Sequence, residues 1–131
     1  MRILCKIELS RTTPSPNEML RWHWTQRHKL KLDYGWSLVA EGARDKKNQA
    51  KDKEKRRVEI YSYRKQLLDP DNLYGSVKLL LDAMIDMKLI YDDSLEYLSL
   101  SVYQEIDKKN PRTEIVIYVL DDEKFNKKGG C

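Results

Sequence analysis

The segment LLDPDNLYGSVKLLLDAM (residues 67–84) most limits the folds that this chain can adopt. Pro70 has a fixed φ and lacks an amide hydrogen, which suits the first turn of a helix, and the pattern predicts a helix from about Asp71 to Met87. Because each residue of a helix advances about 100°, Asp71, Lys78 and Asp82 form a charged stripe. The apolar side contains Leu73, Val77, Leu80, Leu81 and Met84. Such a helix needs a second layer of structure that covers its apolar side.

Segments of alternating polar and apolar residues predict the strands of that second layer. They lie at residues 2–9, 58–63 (running on toward residue 68), 97–106 and 113–120. The sequence DKKNPR between the last two predicts a hairpin turn. Residues 18–49 predict another helix, with a break near Gly35 or Gly42. The order β-α-β-α-β-β predicts an α+β domain, in which helices pack on one face of a small mixed β-sheet.

Length and composition indicate one small domain in the cytoplasm. We expect the domain to span residues 1–121 and residues 122–131 to form a polar, flexible tail. No apolar stretch is long enough to span a membrane, and the first residues lack the apolar core of a signal peptide. Cys5 and Cys131 are far apart in sequence, which predicts neither a disulfide framework nor a paired metal site.

The charge balance favours a polyanionic partner, because 25 Lys and Arg residues outnumber 21 Asp and Glu residues. The run RDKKNQAKDKEKRR (residues 44–57) is interpreted as a solvated helix end, a mobile loop or a phosphate contact. Candidate DNA-binding residues are Arg21, Arg27, Lys51, Lys53, Arg56 and Arg57. Trp22, Trp24 and Trp36 are of a type that stacks on unpaired bases, but for Trp24 and Trp36 the core is the preferred prediction.

Asp69 and Asp71 allow two interpretations. One of them caps the helix, as aspartate commonly does, or both belong to an acidic site together with Asp92 and Asp93 before the third strand. If the helix packs antiparallel to that strand, it would bring the two acidic pairs together. Mg²⁺ prefers such oxygen ligands. An EF-hand beginning at Asp69 is excluded, because its required oxygen ligand, Gly and Glu are replaced by Leu73, Tyr74 and Leu80.

The segment DPDNLYGSVKLLLDAMIDMKLIYDDSLEYL resembles the signature of the RusA family of Holliday junction resolvases, and PSPNEMLRWHW looks like the P-S-x-N segment after that family's first strand. The family pattern is D-x-D-N-L, then a helix with a lysine and a D-A pair, then D-D at the start of a strand. The matching residues are Asp69, Asp71, Asn72, Leu73, Lys78, Asp82, Ala83, Asp92 and Asp93. The resemblance spans roughly residues 1–120.

The resemblance implies a RusA-like fold and a Mg²⁺-dependent endonuclease, in which Mn²⁺ can replace Mg²⁺. It implies a homodimer that cuts branched DNA, especially four-way junctions, in recombination and repair, and a prophage origin. The catalytic residues it implies are Asp69, Asp71 and Asp93 as metal ligands, with Lys78 stabilising charge on the phosphate. The supporting residues it implies are Asn72, Asp82 and Asp92. Some family members have the lysine one helical turn earlier, where this chain has Gly75 and Ser76.

Two alternatives remain open at this point. A branched-DNA-binding module of the same fold would bind junctions without cutting them. A nuclease with a relaxed structure preference would also cut linear duplex.

Overall fold

The computed structural model describes residues 1–120, so the predicted tail at 122–131 lies outside the described residues. The elements are β1 (Arg2–Leu9), α1 (Pro16–Met19), α2 (Trp24–Ala40), a 3₁₀ turn (Lys46–Asn48), β2 (Arg56–Arg64), α3 (Pro70–Ser76), α4 (Lys78–Asp86), β3 (Leu98–Ile106) and β4 (Arg112–Val119). The predicted α+β class and the order of strands and helical regions are confirmed. Among these elements, no helix has the length and apolar character needed to cross a membrane.

The strands form one mixed sheet in the order β1-β4-β2-β3. β4 is antiparallel to β1 and to β2, whereas β2 and β3 are parallel. The predicted hairpin between β3 and β4 is therefore wrong, because β2 lies between them. The connection crosses the end of β2, where the Asp107 amide donates to the Arg64 carbonyl at 2.8 Å. The turn is closed by Arg112, whose guanidinium bonds the Asp107 carboxylate at 2.9 Å.

The core lies between one face of the sheet and the helices. The predicted alternation in β2 is confirmed, since Val58, Ile60 and Ser62 are buried and their neighbours in sequence are less so. The largest fully buried side chains include Tyr34 and Leu38 of α2, Leu80 and Met84 of α4, and Ile115 and Ile117 of β4. Burial of this apolar surface is the main favourable term that holds helices and sheet together.

β1 departs from its predicted pattern at its beginning. Ile3 pairs with Tyr118 and Cys5 pairs with Ile117, so Leu4 is an extra residue in a β-bulge. The bulge reverses the alternation there. Ile3 is consequently 47% exposed, although the sequence predicts it on the same face as Cys5.

The region predicted as helix at 18–49 forms two helices, α1 and α2, and the predicted break near Gly42 is confirmed. α2 ends at Ala40, before Gly42 adopts a φ of 96°, which few other residues tolerate. Trp24 and Trp36 are each 68% exposed, so their predicted place in the core is wrong. Tyr34 and Leu38 define the inward side of α2, and Trp36 lies midway between them in sequence, about 200° around the helix from each.

The second face of the sheet carries a hydrogen-bonded group centred on Glu59. Its carboxylate accepts hydrogen bonds from the Tyr118 hydroxyl at 2.8 Å, the Tyr61 hydroxyl at 3.0 Å and the Arg57 guanidinium at 3.0 Å. The bond from Tyr118, followed by those from Arg57 and Tyr61, holds the pKa of Glu59 below its usual value of 4.5. The charged form of Glu59 is therefore favoured in the folded state.

Replacing Glu59 with glutamine should destabilise the fold by about 1–3 kcal/mol at pH 7, because hydrogen bonds to a charged acceptor are replaced by neutral ones. A carboxyl group whose pKa is lower in the folded state stabilises that state at pH values above its pKa in the unfolded state. This contribution is lost as the pH falls through its pKa in the folded state. The difference between wild type and Glu59→Gln in urea denaturation should thus narrow below a pH of about 4.5. Glu105→Gln, at an exposed site on β3, is the control. If the difference in unfolding free energy between wild type and Glu59→Gln does not change with pH, the charged form of Glu59 does not stabilise the fold as described.

Candidate functional site

The N-terminus of α3 shows why the chain has two aspartates around Pro70. Asp69 is the N-cap: one of its carboxylate oxygens accepts from the Asn72 amide at 3.1 Å, and the other accepts from the Asn72 side-chain nitrogen at 3.3 Å. Asp71 follows in the first turn and is exposed. Capping therefore accounts for Asp69 and Asn72, and it leaves Asp71 without a structural role of that kind.

The segment that leads into this cap is fixed to the edge strand β3. The Leu68 amide donates to the Gln104 side-chain oxygen at 2.9 Å, and the Gln104 nitrogen donates to the Leu68 carbonyl at 2.6 Å. One helical turn further on, the Tyr74 hydroxyl accepts from the Val102 amide at 3.3 Å. The bond to Tyr74 satisfies a backbone amide on the open edge of the sheet, and the bonds with Gln104 fix the segment that leads into the cap.

Lys78, at the start of α4, bridges two predicted site residues. Its ammonium nitrogen lies 3.0 Å from an Asp82 oxygen and 2.5 Å from an Asp93 oxygen. The hydrogen bond to Asp93, and then that to Asp82, raises the pKa of Lys78 above 10.5. A lysine with a raised pKa stays protonated near neutral pH. It can therefore stabilise negative charge there, and it is unsuited to act as a general base.

The predicted continuous helix at 71–87 is interrupted at Val77, whose φ of −96° and ψ of 1° separate α3 from α4. Before the break, a Cβ at Gly75 would lie 2.6 Å from Pro16, and Ser76 is buried with its hydroxyl bonded to the Leu73 carbonyl. Neither position has room for a lysine. Lys78, just after the break, is 60% exposed and does have room.

The structure does not bring Asp69, Asp71 and Asp93 together. Among residues 1–120, no group of three or more His, Cys, Asp or Glu side chains is arranged to hold a metal ion. The topology explains this separation: Asp69 follows the C-terminal end of β2, Asp93 precedes the N-terminal end of β3, and these two strands are parallel. Asp71 and Lys78 are seven residues apart, which corresponds to about 10 Å along the axis of an ideal helix. Asp92 is half-buried beside Asp93.

Three of the predicted DNA-binding arginines are occupied within the fold. Arg56 is 2% exposed, so its prediction as a DNA contact is wrong. Its guanidinium instead donates to the carbonyls of Asn48, Leu89 and Gln49 and to Glu54. Arg57 bonds Glu59 and the hydroxyls of Ser99 and Ser101. Arg27 is exposed but donates to the Met19 carbonyl at 2.8 Å. Arg21, Lys51 and Lys53 are exposed.

The sequence reasoning missed a basic groove of about 730 Å³. Its charged lining residues are Arg11, Glu18, Arg64, Lys65, Lys108 and Lys109. These residues are scattered along the chain and form no local run. The sequence does contain a signal for this groove, since Arg11, Lys65 and Lys108 follow the ends of β1, β2 and β3. These three strands run in the same direction, so their C-terminal ends lie at the same end of the sheet.

Neither a scan against protein-family models nor a search of curated proteins returns a match for this chain.

Proposed function

We propose that this protein is a RusA-like, Mg²⁺-dependent endonuclease that resolves four-way DNA junctions as a homodimer. The observation that carries the proposal is the exposed Lys78 held by Asp82 and Asp93, on the same helix pair that begins with Asp69 and Asp71. The resemblance in sequence supplies the class of substrate and the reaction.

In this proposal, Lys78 contacts the phosphodiester group and stabilises its negative charge as the bond breaks. Asp82 and Asp93 orient the ammonium group, and its raised pKa keeps it charged throughout the neutral range. Asp71 is an exposed carboxylate that capping leaves free. A four-way junction has two-fold symmetry, and a symmetric dimer presents two equivalent sites to it.

The fit to a metal ion is incomplete. Carboxylate oxygens are the ligands that Mg²⁺ prefers. However, Asp69, Asp71 and Asp93 do not form one three-carboxylate site in the described part of the chain, and the carboxylate of Asp93 is engaged by Lys78. This separation favours the second candidate function, a module that binds branched DNA without cutting it.

Incubation with a synthetic four-way junction or a matched linear duplex, in Mg²⁺, Mn²⁺ or EDTA, tests the proposal. We expect nicks placed symmetrically on opposing strands of the junction, little cutting of the duplex, and no cutting in EDTA. Strand positions are read from end-labelled DNA on a denaturing gel.

Each contrary result has a separate meaning. Equal cutting of the linear duplex contradicts junction selectivity and leaves a nuclease of relaxed preference. Binding without cutting in either metal contradicts the nuclease and supports the binding module. Undiminished cutting in EDTA contradicts the metal requirement.

A further inference from the structure

We propose that the basic groove at the C-terminal edge of β1, β2 and β3 binds the phosphate backbone of the DNA substrate. This inference rests on the proposed function and names the surface along which the substrate approaches. The groove has five basic lining residues and one acidic residue, whereas the whole chain has 25 and 21. So large a local excess of one charge attracts a polyanion.

The exposed rim of the groove supplies cations that form few ion pairs within residues 1–120. Lys65, Lys108 and Lys109 are exposed, and none of them forms an ion pair with another residue between positions 1 and 120. The guanidinium of Arg11 lies 5.7 Å from the centre of the Tyr34 ring, and its one ion pair within residues 1–120 is a long contact of 3.9 Å with Asp33, in which both side chains are 45% exposed. Such a surface pair contributes little to stability, so Arg11 can turn toward a phosphate at small cost.

The floor of the groove is positive and rigid. Arg64 is 6% exposed, and its guanidinium is held by the Thr13 carbonyl at 2.8 Å and the Ser62 hydroxyl at 3.1 Å. Within residues 1–120 no carboxylate bonds Arg64, although the negative charge of Glu18, the one acidic residue of the groove, is close enough to act on it. Burial raises the pKa of nearby Tyr34 to about 12, so its hydroxyl is neutral and does not offset this charge.

The position and shape of the groove favour a nucleic acid strand over a small anion. Gln66 and Leu68 also line it, and Asp69 follows them directly. A strand lying in the groove would therefore run toward the exposed carboxylate of Asp71. Because the groove is open and its cations are spread over three connections, it suits a row of phosphates better than a single phosphate.

The test compares two variants that each lose four charges. The groove variant carries Arg11→Gln, Lys65→Gln, Lys108→Gln and Lys109→Gln, and it leaves Arg64 in place. The control variant replaces Lys6, Lys29, Lys31 and Lys88 with glutamine, which removes the same charge from residues that lie outside the groove and are not among the predicted DNA contacts. Binding to a four-way junction is measured by fluorescence anisotropy in EDTA over a range of salt concentrations, so that cleavage does not interfere.

We expect the groove variant to lose affinity at least about tenfold, and its slope of log affinity against log salt to become shallower by about 2–4, since each phosphate contact contributes about 0.9. The control variant should change the slope by less than about 1. An unchanged slope in a groove variant with a normal melting curve overturns the proposal, as does a larger loss in the control variant.

Two further measurements keep the outcomes separate. If the groove variant does not fold, the triple variant of Lys65, Lys108 and Lys109 replaces it, because these side chains have no partner in the described structure. Cleavage by the wild-type chain is measured on the same junction. If the wild-type chain cuts the junction and the groove variant keeps the wild-type salt slope, the groove proposal is wrong and the nuclease proposal stands. If the groove variant has a shallower slope and the wild-type chain does not cut, the nuclease proposal is wrong and the groove proposal stands.

Discussion

Replacing Asp71 with asparagine should lower junction cleavage by several orders of magnitude and leave the melting temperature nearly unchanged. Asparagine keeps the shape of the side chain and removes its charge, and an amide oxygen is a poor replacement for a carboxylate at a site of phosphodiester hydrolysis. Stability should change little, because Asp69 and not Asp71 caps α3. The remaining interaction of Asp71 with the helix dipole is worth about 0.3–1 kcal/mol.

DNA binding by the Asp71→Asn variant should persist or tighten, because one negative charge that repels phosphate is removed. Asp86→Asn is the matched control, since Asp86 lies on α4, is 53% exposed and pairs with Lys31 on α2. Cleavage rate, junction affinity and melting temperature are measured for both variants. A variant of Asp71 that cuts junctions at the wild-type rate would falsify its catalytic role.

Replacing Arg56 with methionine should destabilise the fold by about 3–5 kcal/mol, the range found when one partner of a buried charged network is removed. The guanidinium donates to the Asn48 carbonyl at 2.7 Å, the Leu89 carbonyl at 2.7 Å and the Gln49 carbonyl at 3.0 Å. Without it, these buried carbonyls lose their partner. The segment after α2, the turn after α4 and the start of β2 then lose their common attachment.

Urea denaturation of Arg56→Met and of the control Lys55→Met measures this effect, since Lys55 is the exposed neighbour of Arg56. The free energy of unfolding of Arg56→Lys should lie between those of Arg56→Met and Lys55→Met, because one ammonium group cannot reach all the carbonyls that the planar guanidinium reaches. If Arg56→Met and Lys55→Met differ by less than about 0.5 kcal/mol, the network does not stabilise the fold as described.

Local patterns were sufficient for most elements of the fold. The alternation of Val58, Ile60 and Ser62 predicts β2 and its buried face, because a half-buried strand imposes a period of two. Pro70 with the apolar stripe behind it predicts a helix start within one residue of α3. These features depend only on neighbours in sequence, and so they can be read from it.

The predictions that are wrong concern residues whose surroundings depend on segments distant in sequence. Trp24 and Trp36 are large and apolar, but the inward side of α2 is already occupied by other residues. Arg56 lies near the end of a basic run whose composition is typical of solvated surface, and the partners that the fold brings to it explain its burial. A turn sequence before Arg112 predicts a hairpin, but β2 occupies the place between β3 and β4.

The candidate site was predictable in part for the same reason. The cap at Asp69 and the pair formed by Lys78 and Asp82 follow from helix spacing. Whether Asp93 lies near Asp69 depends on the relative direction of β2 and β3, which no local pattern specifies. The basic groove depends on the directions of β1, β2 and β3 in the same way, and so no local pattern in the sequence predicts it.

The strand order has a consequence for how this chain folds during synthesis. β4, the last described strand to be translated, lies between β1 and β2, the first two. Among the described strands, β1 pairs with β4 alone, from Arg2 opposite Val119 to Leu9 opposite Thr113, so it lacks a described sheet partner until β4 has left the ribosome. The parallel pair β2 and β3, with its helical crossover, can assemble earlier. From the synthesis of β1 until that of β4, the nascent chain therefore carries an unpaired strand, the kind of edge that promotes aggregation.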